Sequence, residues 1–247
     1  MPAELDAAES SKAIGRAAAA PPPRPLIAVL WSAAIEVLWR IVISILQVLF
    51  RIVAWPKREG PYLPKGPLIV APNHCSFMDP VILQMACWRH LSPMMTEIYY
   101  NPIAVRWLFY WMRAIPVKEG RGNRDALAVA VDRIQRGWAL CIYPEGAISR
   151  DGRLQKFQPG ISALAEASGA PVVPVAIVGT FEAFPRNASF PKLFRRYVVR
   201  FGEPIPPPEP GDESTRRERL RAHTERVRQA VIAMLEPRQL PQTPPES

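Results

Sequence analysis

At 247 residues, the chain is long enough for one substantial α/β domain with extensions and too short for two of that size. Its 31 Lys and Arg residues against 22 Asp and Glu residues give a formal net charge of +9, which favours anionic partners such as nucleic acid or acidic lipid without choosing between them. Three cysteines without a CxxC spacing argue against a disulfide framework or a zinc ribbon and favour a reduced, cytosol-facing location.

The two ends of the chain are rich in proline. Residues 1–25 form an Ala/Pro-rich tail that is predicted to be disordered, and its early acidic residues are not typical of a signal peptide. Residues 206–247 are predicted to contain a Pro-rich linker, a basic amphipathic helix over 214–236 and a final tail. His223 on that helix is expected at the surface.

The segment 26–55 is apolar, with polar residues at positions 32, 36, 40, 44, 47 and 51. Spacings of three and four place these side chains on one stripe of a helix, which predicts an amphipathic helix. Glu36, Arg40 and Arg51 keep its charge-free runs below the roughly 18 residues that indicate a membrane span. We expect a membrane-associated helical segment that lies in one leaflet, and the alternatives are a tilted span and a helix packed against the domain.

Apolar runs of strand and helix length alternate through the predicted main domain, 60–205. Strands are predicted over 66–72, 92–98, 114–118, 138–143, 171–178 and 197–201, and helices over 80–89, 102–111, 124–135 and 161–168. Gly137 and Gly169 are placed to end two of the helices. This alternation predicts an α/β fold with a mixed, largely parallel sheet flanked by helices.

Two predicted loops follow strands at their carboxyl ends, where such sheets bind ligands. The first has the sequence NHCSFMD at 73–79, and the second covers 144–160. The predicted topology permits both loops to open on one rim of the sheet. A site made from them contains His74, Asp79, Glu145, Ser149 and Arg150.

The spacing of His74 and Asp79 is compatible with a metal site, a proton transfer or a turn. No metal is expected, because an HExxH motif is missing and the one second histidine nearby, His90, is at the end of the predicted helix. No serine hydrolase or glycine-rich phosphate motif occurs. A histidine with one nitrogen held by an aspartate can take a proton from a substrate hydroxyl with the other, which makes proton transfer the favoured interpretation. The structural alternative is that Asp79, before Pro80, caps the helix and closes a turn.

Several ordered blocks over roughly residues 60–205 resemble the glycerolipid acyltransferase family typified by 1-acyl-glycerol-3-phosphate acyltransferase. NHCSFMD at 73–79 is similar to its first block, an Asn-His pair followed by four residues and an Asp. YPEGAISRDG at 143–152 resembles the third block and VPVAIVGT at 173–180 the fourth. FQPG at 157–160 and RFGEPI at 200–205 match further elements of that family.

The resemblance implies transfer of a fatty acyl group from acyl-CoA or acyl carrier protein, as co-substrate, to a hydroxyl of a glycerol phosphate or lysolipid, with no cofactor. It implies that His74 is the base and Asp79 the residue that orients it. Glu145 and Gly146 are implied to hold the glycerol phosphate, and Pro174 to lie in the acyl-donor region. Neighbouring residues of the two loops are also candidates for substrate binding: Asn73, Ser76, Ser149 and Arg150.

Phosphate recognition departs from the family pattern. Ala147 and Ile148 stand where the third block usually carries Thr and Arg, and Arg150, two places later, is a candidate substitute. In the second block Glu119 aligns with the family's arginine, which leaves three other basic residues to bind phosphate: Lys118, Arg121 and Arg124. The identity of the acceptor therefore stays open.

The expected reaction makes phosphatidate from 1-acyl-glycerol-3-phosphate at a membrane lipid surface, with the active site facing the cytoplasm. One alternative is the same chemistry on another lysophospholipid, lyso-ornithine lipid or glycerol 3-phosphate; another is a non-catalytic basic protein that binds lipid or nucleic acid. No nucleic-acid partner is expected from the favoured interpretation. The segment 180–197 mixes Phe with Arg and Lys and is predicted to contact anionic headgroups, unless it is a packed loop with a solvated basic edge.

Overall fold

The computed structural model of the chain describes most of the residues after position 55. The described residues are 31, 34, 35, 37, 38, 41, 42, 44, 45, 48, 56–97, 112–118, 124–188, 190, 192 and 195–241, with Arg124 described in its backbone alone. The chain divides into two compact units, Met1–Val42 and Ile43–Ser247. The predicted helix over 102–111 lies outside the described residues.

Seven strands of the second unit form one sheet in the order β1-β7-β6-β2-β5-β3-β4. Neighbouring strands run parallel except β6 and β7, which are antiparallel. The prediction of a mixed, largely parallel sheet is therefore confirmed, and each of the predicted strands is present. The strands are β1 Pro56–Glu59, β2 Leu68–Pro72, β3 Leu91–Thr96, β4 Ile115–Val117, β5 Ala139–Cys141, β6 Val172–Val178 and β7 Tyr197–Phe201.

Helices pack on both faces of the sheet, as the alternating pattern predicts. They are α1 Asp79–Ala86, α2 Arg124–Gln135, α3 Gly160–Ser168, α4 Thr180–Ala183 and α5 Glu213–Ile232, followed by a short 3₁₀ helix Pro237–Gln239. Gly169 ends α3 in the left-handed conformation, with φ of 68°. The C-terminal residues of the predicted 80–89 helix are not helical, because α1 stops at Ala86.

The central strand β2 is buried on both faces, which explains its uninterrupted apolar sequence LIVAP. Its alternate side chains enter two hydrophobic clusters on opposite faces of the sheet. Leu68 packs in the cluster that includes α1, and Ile69 packs in the cluster that includes α2, α3 and α5. The sheet thus holds the end of β2, where the first predicted site loop begins, between two packed layers.

The sheet begins before the predicted start of the domain at residue 60. Pro56–Glu59 pairs in parallel with β7, and the carboxylate of Glu59 accepts a hydrogen bond of 2.8 Å from Nε of Arg200 on that strand. Short, charged strands are typical of sheet edges, where they discourage pairing with other chains. The sequence PKRE carries no apolar run, so hydrophobic pattern alone does not reveal this strand.

The C-terminal helix α5 is part of the domain's core. Its inner face packs against β6 and α3, and Val227 and Val231 are fully buried. The expectation of a surface position for His223 is wrong, since its side chain is 3% exposed and contacts Ser162 of α3. Outward-facing basic residues of α5, such as Arg217 and Arg221, remain exposed.

The described positions between 31 and 48 are all helical. Seven of their large apolar side chains are more than half exposed, from 51% at Ile41 to 67% at Trp31, whereas Val42 is only partly exposed. Within the part of the chain that the structure describes, no helix is both long and apolar enough to cross a membrane. The rest of the predicted 26–55 segment lies outside the described residues.

Candidate active site

The loop between β2 and α1 brings His74 and Asp79 into direct contact. Nδ1 of His74 lies 2.8 Å from Oδ2 of Asp79. The same oxygen accepts hydrogen bonds from the backbone N–H groups of Cys75 at 2.7 Å and Ser76 at 2.8 Å. Asp79 is fully buried, so three donors converge on an oxygen that water does not reach. The carboxylate fixes both the imidazole and the backbone that carries it.

The predicted N-cap role of Asp79 is wrong. Met78 occupies the N-cap position, Asp79 is the first residue of α1, and no side chain makes a capping hydrogen bond there. Oδ2 of Asp79 instead turns back to the loop that precedes the helix, towards His74. The helix holds Asp79 in place through its backbone, and the carboxylate is left to organise the loop.

The second nitrogen of His74 is open. The imidazole side chain is 16% exposed, and Nε2 makes no hydrogen bond to any described residue. The ring stacks on Tyr143, with centroids 3.9 Å apart and an interplanar angle of 26°. Because Nδ1 faces a carboxylate, it carries the proton in the neutral ring, and Nε2 presents its lone pair. This geometry suits a general base, because Tyr143 holds one face of the ring and Asp79 holds its Nδ1 edge.

The second predicted loop meets the first through Glu145. Its Oε1 accepts the backbone N–H of His74 at 2.7 Å, and its Oε2 accepts the N–H of Gln155 at 3.1 Å. The N–H of Ser149 in turn donates to the carbonyl of His74 at 2.8 Å. Burial raises the pKa of Glu145 to about 8, although both N–H donors favour the carboxylate. The two loops are therefore joined on both sides of the His74 backbone.

Three further predicted substrate-binding residues are buried, and their side chains bond to the protein itself. Asn73 pairs with the backbone of Ile177 on β6, accepting its N–H at 2.7 Å and donating to its carbonyl at 3.0 Å. Ser76 donates to the carbonyl of Phe184 at 2.7 Å, and Ser149 donates to that of Arg153 at 2.8 Å. In this structure these side chains position the loops; contact with a substrate stays a prediction.

The turn after Glu145 is the exposed part of the second loop. Gly146, with φ of 79°, and Ala147 are exposed, whereas Ile148 is only 9% exposed. The position at which the family usually carries arginine thus points into the core here. Arg150 is exposed and makes no hydrogen bond or ion pair with any described residue, so its guanidinium is available to an anion.

The remaining predicted residues do not join the His74 cluster. Arg121 and the side chain of Arg124 lie outside the described residues. Pro174 is buried within β6, paired with Ala71 of β2, and its carbonyl accepts the N–H of Gly202 at 2.9 Å. Its role near an acyl donor stays a prediction. Among the described residues no group of three His, Cys, Asp or Glu side chains is placed to hold a metal ion.

Sequence reasoning missed several residues that support the site. Tyr143 directly precedes the turn at 144–146, and an aromatic residue at that position indicates a stacking partner for His74. The hydroxyl of Thr180 lies 3.2 Å from Sγ of Cys75, and Gln239 donates to the carbonyl of Ile177 at 2.9 Å. These last two contacts join parts of the chain that lie far apart in sequence, and no local pattern indicates them.

Comparison with known proteins agrees with this arrangement. Residues 57–178 match the family model described as Acyltransferase, a segment that contains both site loops. These residues form an acyltransferase-family domain. His74 and Asp79, which are predicted to be catalytic, and Glu145 all lie within it.

Relatives of this acyltransferase domain carry related names. The chain is 31% identical over 124 residues to the chloroplastic 1-acyl-sn-glycerol-3-phosphate acyltransferase BAT2 of Brassica napus, covering 49% of this chain and 36% of that one. It is 32% identical over 124 residues to a probable 1-acyl-sn-glycerol-3-phosphate acyltransferase of Mycoplasma pneumoniae, covering 48% and 47%. The chain thus matches about a third to a half of the length of these relatives.

One solved structure is similar in fold. The crystal structure of the 1-acyl-sn-glycerophosphate acyltransferase PlsC from Thermotoga maritima aligns with a TM-score of 0.58 and 23% sequence identity. The alignment covers 82% of this chain and 78% of that one. The shared fold extends beyond the matched family segment.

Proposed function

We propose that the chain is an acyltransferase that moves a fatty acyl group from an acyl thioester to the free hydroxyl of 1-acyl-glycerol-3-phosphate, giving phosphatidate. The observation that carries the proposal is the contact of 2.8 Å between His74 Nδ1 and Asp79 Oδ2 in an acyltransferase-family domain. The names of the relatives support the choice of acceptor. Acyl-CoA and acyl carrier protein are both possible donors.

The proposed mechanism needs no covalent enzyme intermediate. Nε2 of His74 removes the proton of the acceptor hydroxyl while the oxygen of that hydroxyl attacks the carbonyl carbon of the thioester. Asp79 stabilises the imidazolium that forms, because its carboxylate already accepts from Nδ1. Collapse of the tetrahedral intermediate breaks the C–S bond, and the departing thiolate takes the proton from Nε2. The products are the new ester and the free thiol.

The oxyanion of the intermediate needs donors near His74. The N–H groups of His74, Cys75 and Ser76 already donate to Glu145 and Asp79. In the exposed turn of the second loop, the N–H groups of Ala147 and Ile148 donate to no described residue. We assign these two groups to the oxyanion, since backbone N–H donors fixed in a turn need no reorganisation during the reaction.

The acceptor phosphate is assigned to Arg150. Its side chain is exposed on the loop that meets His74, and it has no ion pair among the described residues. An arginine fork matches two oxygens of a phosphate, which fixes the acceptor as well as neutralising it. Gly146 lies on the same exposed turn and allows the acceptor to approach the backbone closely.

We also propose that the enzyme works at a membrane surface, with its site facing the cytoplasm. The described helical positions between 31 and 48 expose large apolar side chains, including Trp31, Ile35 and Val48. A helix of this kind gains stability by burying its apolar face in the outer part of a bilayer. Both the acceptor and the product of the proposed reaction reside there.

The test is release of free CoA by the full-length chain in vesicles or detergent, supplied with acyl-CoA and a panel of acceptors. We expect release with 1-acyl-glycerol-3-phosphate that falls by about 10² to 10⁴ in His74→Ala and Asp79→Asn. The matched control is Asp125→Asn, which changes an exposed carboxylate on α2. Absence of release with every acceptor, or undiminished release by folded His74→Ala, would contradict the mechanism. A preference for another acceptor would redirect the assignment.

A further inference from the structure

A second anion site is indicated around residue 179, where β6 ends. A cavity of about 330 Å³ is lined by Gly179, Glu182, Arg195, Arg196 and Arg238. Gly179 follows β6, Glu182 lies in α4, the two arginines directly precede β7, and Arg238 lies in the 3₁₀ helix. All five lie outside the segment 57–178 that matches the acyltransferase family.

The charges that line this cavity do not cancel. Arg238 pairs with Glu182 at 3.1 Å and with Glu236 at 3.0 Å. Arg195 and Arg196 are exposed, and neither forms an ion pair with any described residue. The lining therefore presents two guanidinium groups whose charge is not balanced within the described part of the chain.

Gly179 lets the backbone of β7 approach the end of β6 at this point. Its φ is 93°, and a Cβ atom there would lie 2.3 Å from the carbonyl oxygen of Arg196. Any side chain at this position would push the two strands apart. The contact places the backbone of Arg196 against the end of β6, so the residue that carries this positive charge is anchored to the sheet.

The cavity is adjacent to the catalytic loop without including it. Gly179 and Glu182 flank Thr180, whose hydroxyl lies 3.2 Å from Sγ of Cys75, next to His74. The lining of the cavity and the His74 loop are thus joined through Thr180.

We propose that this cavity binds a phosphate monoester of a substrate. A guanidinium fork matches two oxygens of a phosphate, and two arginines balance the charge of a phosphate monoester, whereas a lysine acts as a point charge. The choice of ligand rests on the proposed function, in which CoA carries a 3′-phosphate monoester and the lysolipid acceptor carries another. Arg195 and Arg196 are the residues that hold it.

The experiment measures binding, which does not require turnover. The full-length chain in detergent is titrated calorimetrically with CoA, dephospho-CoA and 1-acyl-glycerol-3-phosphate, as wild type and as the double variant Arg195→Gln/Arg196→Gln. The matched control is Arg217→Gln/Arg221→Gln, which removes two exposed charges from α5. We expect the first double variant to bind a phosphate monoester about tenfold to a hundredfold more weakly and the control to change little.

The two sources of phosphate give different results. Weaker binding of CoA, with dephospho-CoA unchanged, supports the proposal and assigns the cavity to the donor. Weaker binding of 1-acyl-glycerol-3-phosphate, with CoA unchanged, supports it, assigns the cavity to the acceptor and replaces Arg150 as the residue that binds the acceptor phosphate. Equal losses in the control variant overturn it. The same titrations are repeated with vesicles containing phosphatidylglycerol in place of detergent, and a loss that occurs only there overturns the proposal as well, because the arginines then contact a membrane surface.

Failure of this proposal differs from failure of the proposed function. An active wild type whose affinities are unaffected by Arg195→Gln/Arg196→Gln overturns the second site alone. A wild type that binds a phosphate monoester through these arginines, yet releases no CoA with any acceptor, supports the site and overturns the proposed reaction. Near-ultraviolet circular dichroism of each variant verifies that it is folded before its binding is compared.

Discussion

Asn73 and Gln239 donate hydrogen bonds to the same carbonyl oxygen, that of Ile177, at 3.0 and 2.9 Å. Asn73 precedes His74, whereas Gln239 lies in the 3₁₀ helix that follows α5. The carbonyl of Gln239 also accepts the N–H of Leu154 from the second site loop at 2.9 Å. Gln239 therefore contacts the second loop directly and the first loop through the shared carbonyl of Ile177.

Gln239→Ala tests this support. The substitution removes a buried donor and leaves a small void, so we expect the free energy of unfolding to fall by about 1–3 kcal/mol. Urea denaturation of the full-length chain measures the change. Gln229→Ala is the matched control, because Gln229 is exposed on α5 and bonds only to the neighbouring Glu225. Equal effects of the two substitutions would show that Gln239 contributes no more than a surface residue.

The sequence predicts the parts of this site that are close together in the chain. His74 and Asp79 are five positions apart in the chain. The apolar run before them predicts a buried strand, and the loop that contains both residues begins where that strand ends. The second loop follows a strand of the same kind, and parallel strands bring their carboxyl ends to one edge. Both features are local patterns, and the structure brings the two loops together as predicted.

The parts that the sequence does not reveal depend on distant or polar contacts. Gln239 meets Ile177 only after the sheet and α5 have formed. The strand Pro56–Glu59 is charged and gains its place by pairing with β7. The sequence Asp79-Pro80 is equally compatible with a helix cap and with a carboxylate that turns back, and packing against the His74 loop selects the second.

Glu145 should make stability depend on pH. Its folded pKa of about 8 lies above the ordinary value of 4.5, so the folded state binds the proton more tightly. This contribution to stability is complete below the unfolded pKa and is lost as pH rises through the folded pKa. The loss is of the order of a few kcal/mol, since one pKa unit corresponds to about 1.4 kcal/mol.

Glu145→Gln removes this titration. We expect the unfolding free energy of the wild type to decrease relative to the variant between about pH 5 and pH 9. Urea denaturation across that range measures the difference, and Glu203→Gln, at an exposed position without a described partner, is the control. A constant difference between the wild type and Glu145→Gln would contradict the raised pKa.

His223 should have the opposite dependence. Its Nε2 lies 2.9 Å from the carbonyl oxygen of Pro206, which can only accept, so Nε2 carries the hydrogen. Nδ1 of the neutral ring then accepts from the hydroxyl of Ser162 at 2.8 Å. Burial lowers the pKa of His223, and the nearby charge of Arg226 acts in the same direction. Protonation would place a hydrogen on Nδ1, and the hydroxyl of Ser162 would then have to rotate so that its oxygen accepts that hydrogen.

The stability that neutral His223 contributes is complete above its unfolded pKa of 6.5 and is lost as pH falls through the lower folded pKa. We expect unfolding free energy to decline as pH falls below about 6.5, and His223→Gln to weaken that decline. Thermal or urea unfolding from neutral to mildly acid pH provides the measurement. An identical acid decline in His223→Gln would assign the loss of stability to other groups.

Alanine substitutions at Gly60 and Gly66 distinguish the effect of backbone strain on stability from the effect of close packing. Both have φ between 80° and 90°, at 85° and 89°. A Cβ at Gly60 would lie 2.0 Å from the carbonyl oxygen of Phe201 on β7, whereas a Cβ at Gly66 meets nothing within 4 Å. Alanine at either position incurs the cost of the left-handed conformation, about 1 kcal/mol. Only alanine at position 60 must also move β1 away from β7.

We therefore expect Gly60→Ala to lower the free energy of unfolding by at least about 2 kcal/mol more than Gly66→Ala. Urea denaturation of the two variants tests whether Pro56–Glu59 is an integral strand of the domain. If both substitutions cost the same, the edge strand separates from β7 easily and contributes little to the sheet. A larger cost at Gly60 means that the pairing of β1 with β7 stabilises the acyltransferase domain. A chain shortened to begin at residue 60 lacks β1 and is then expected to be less stable.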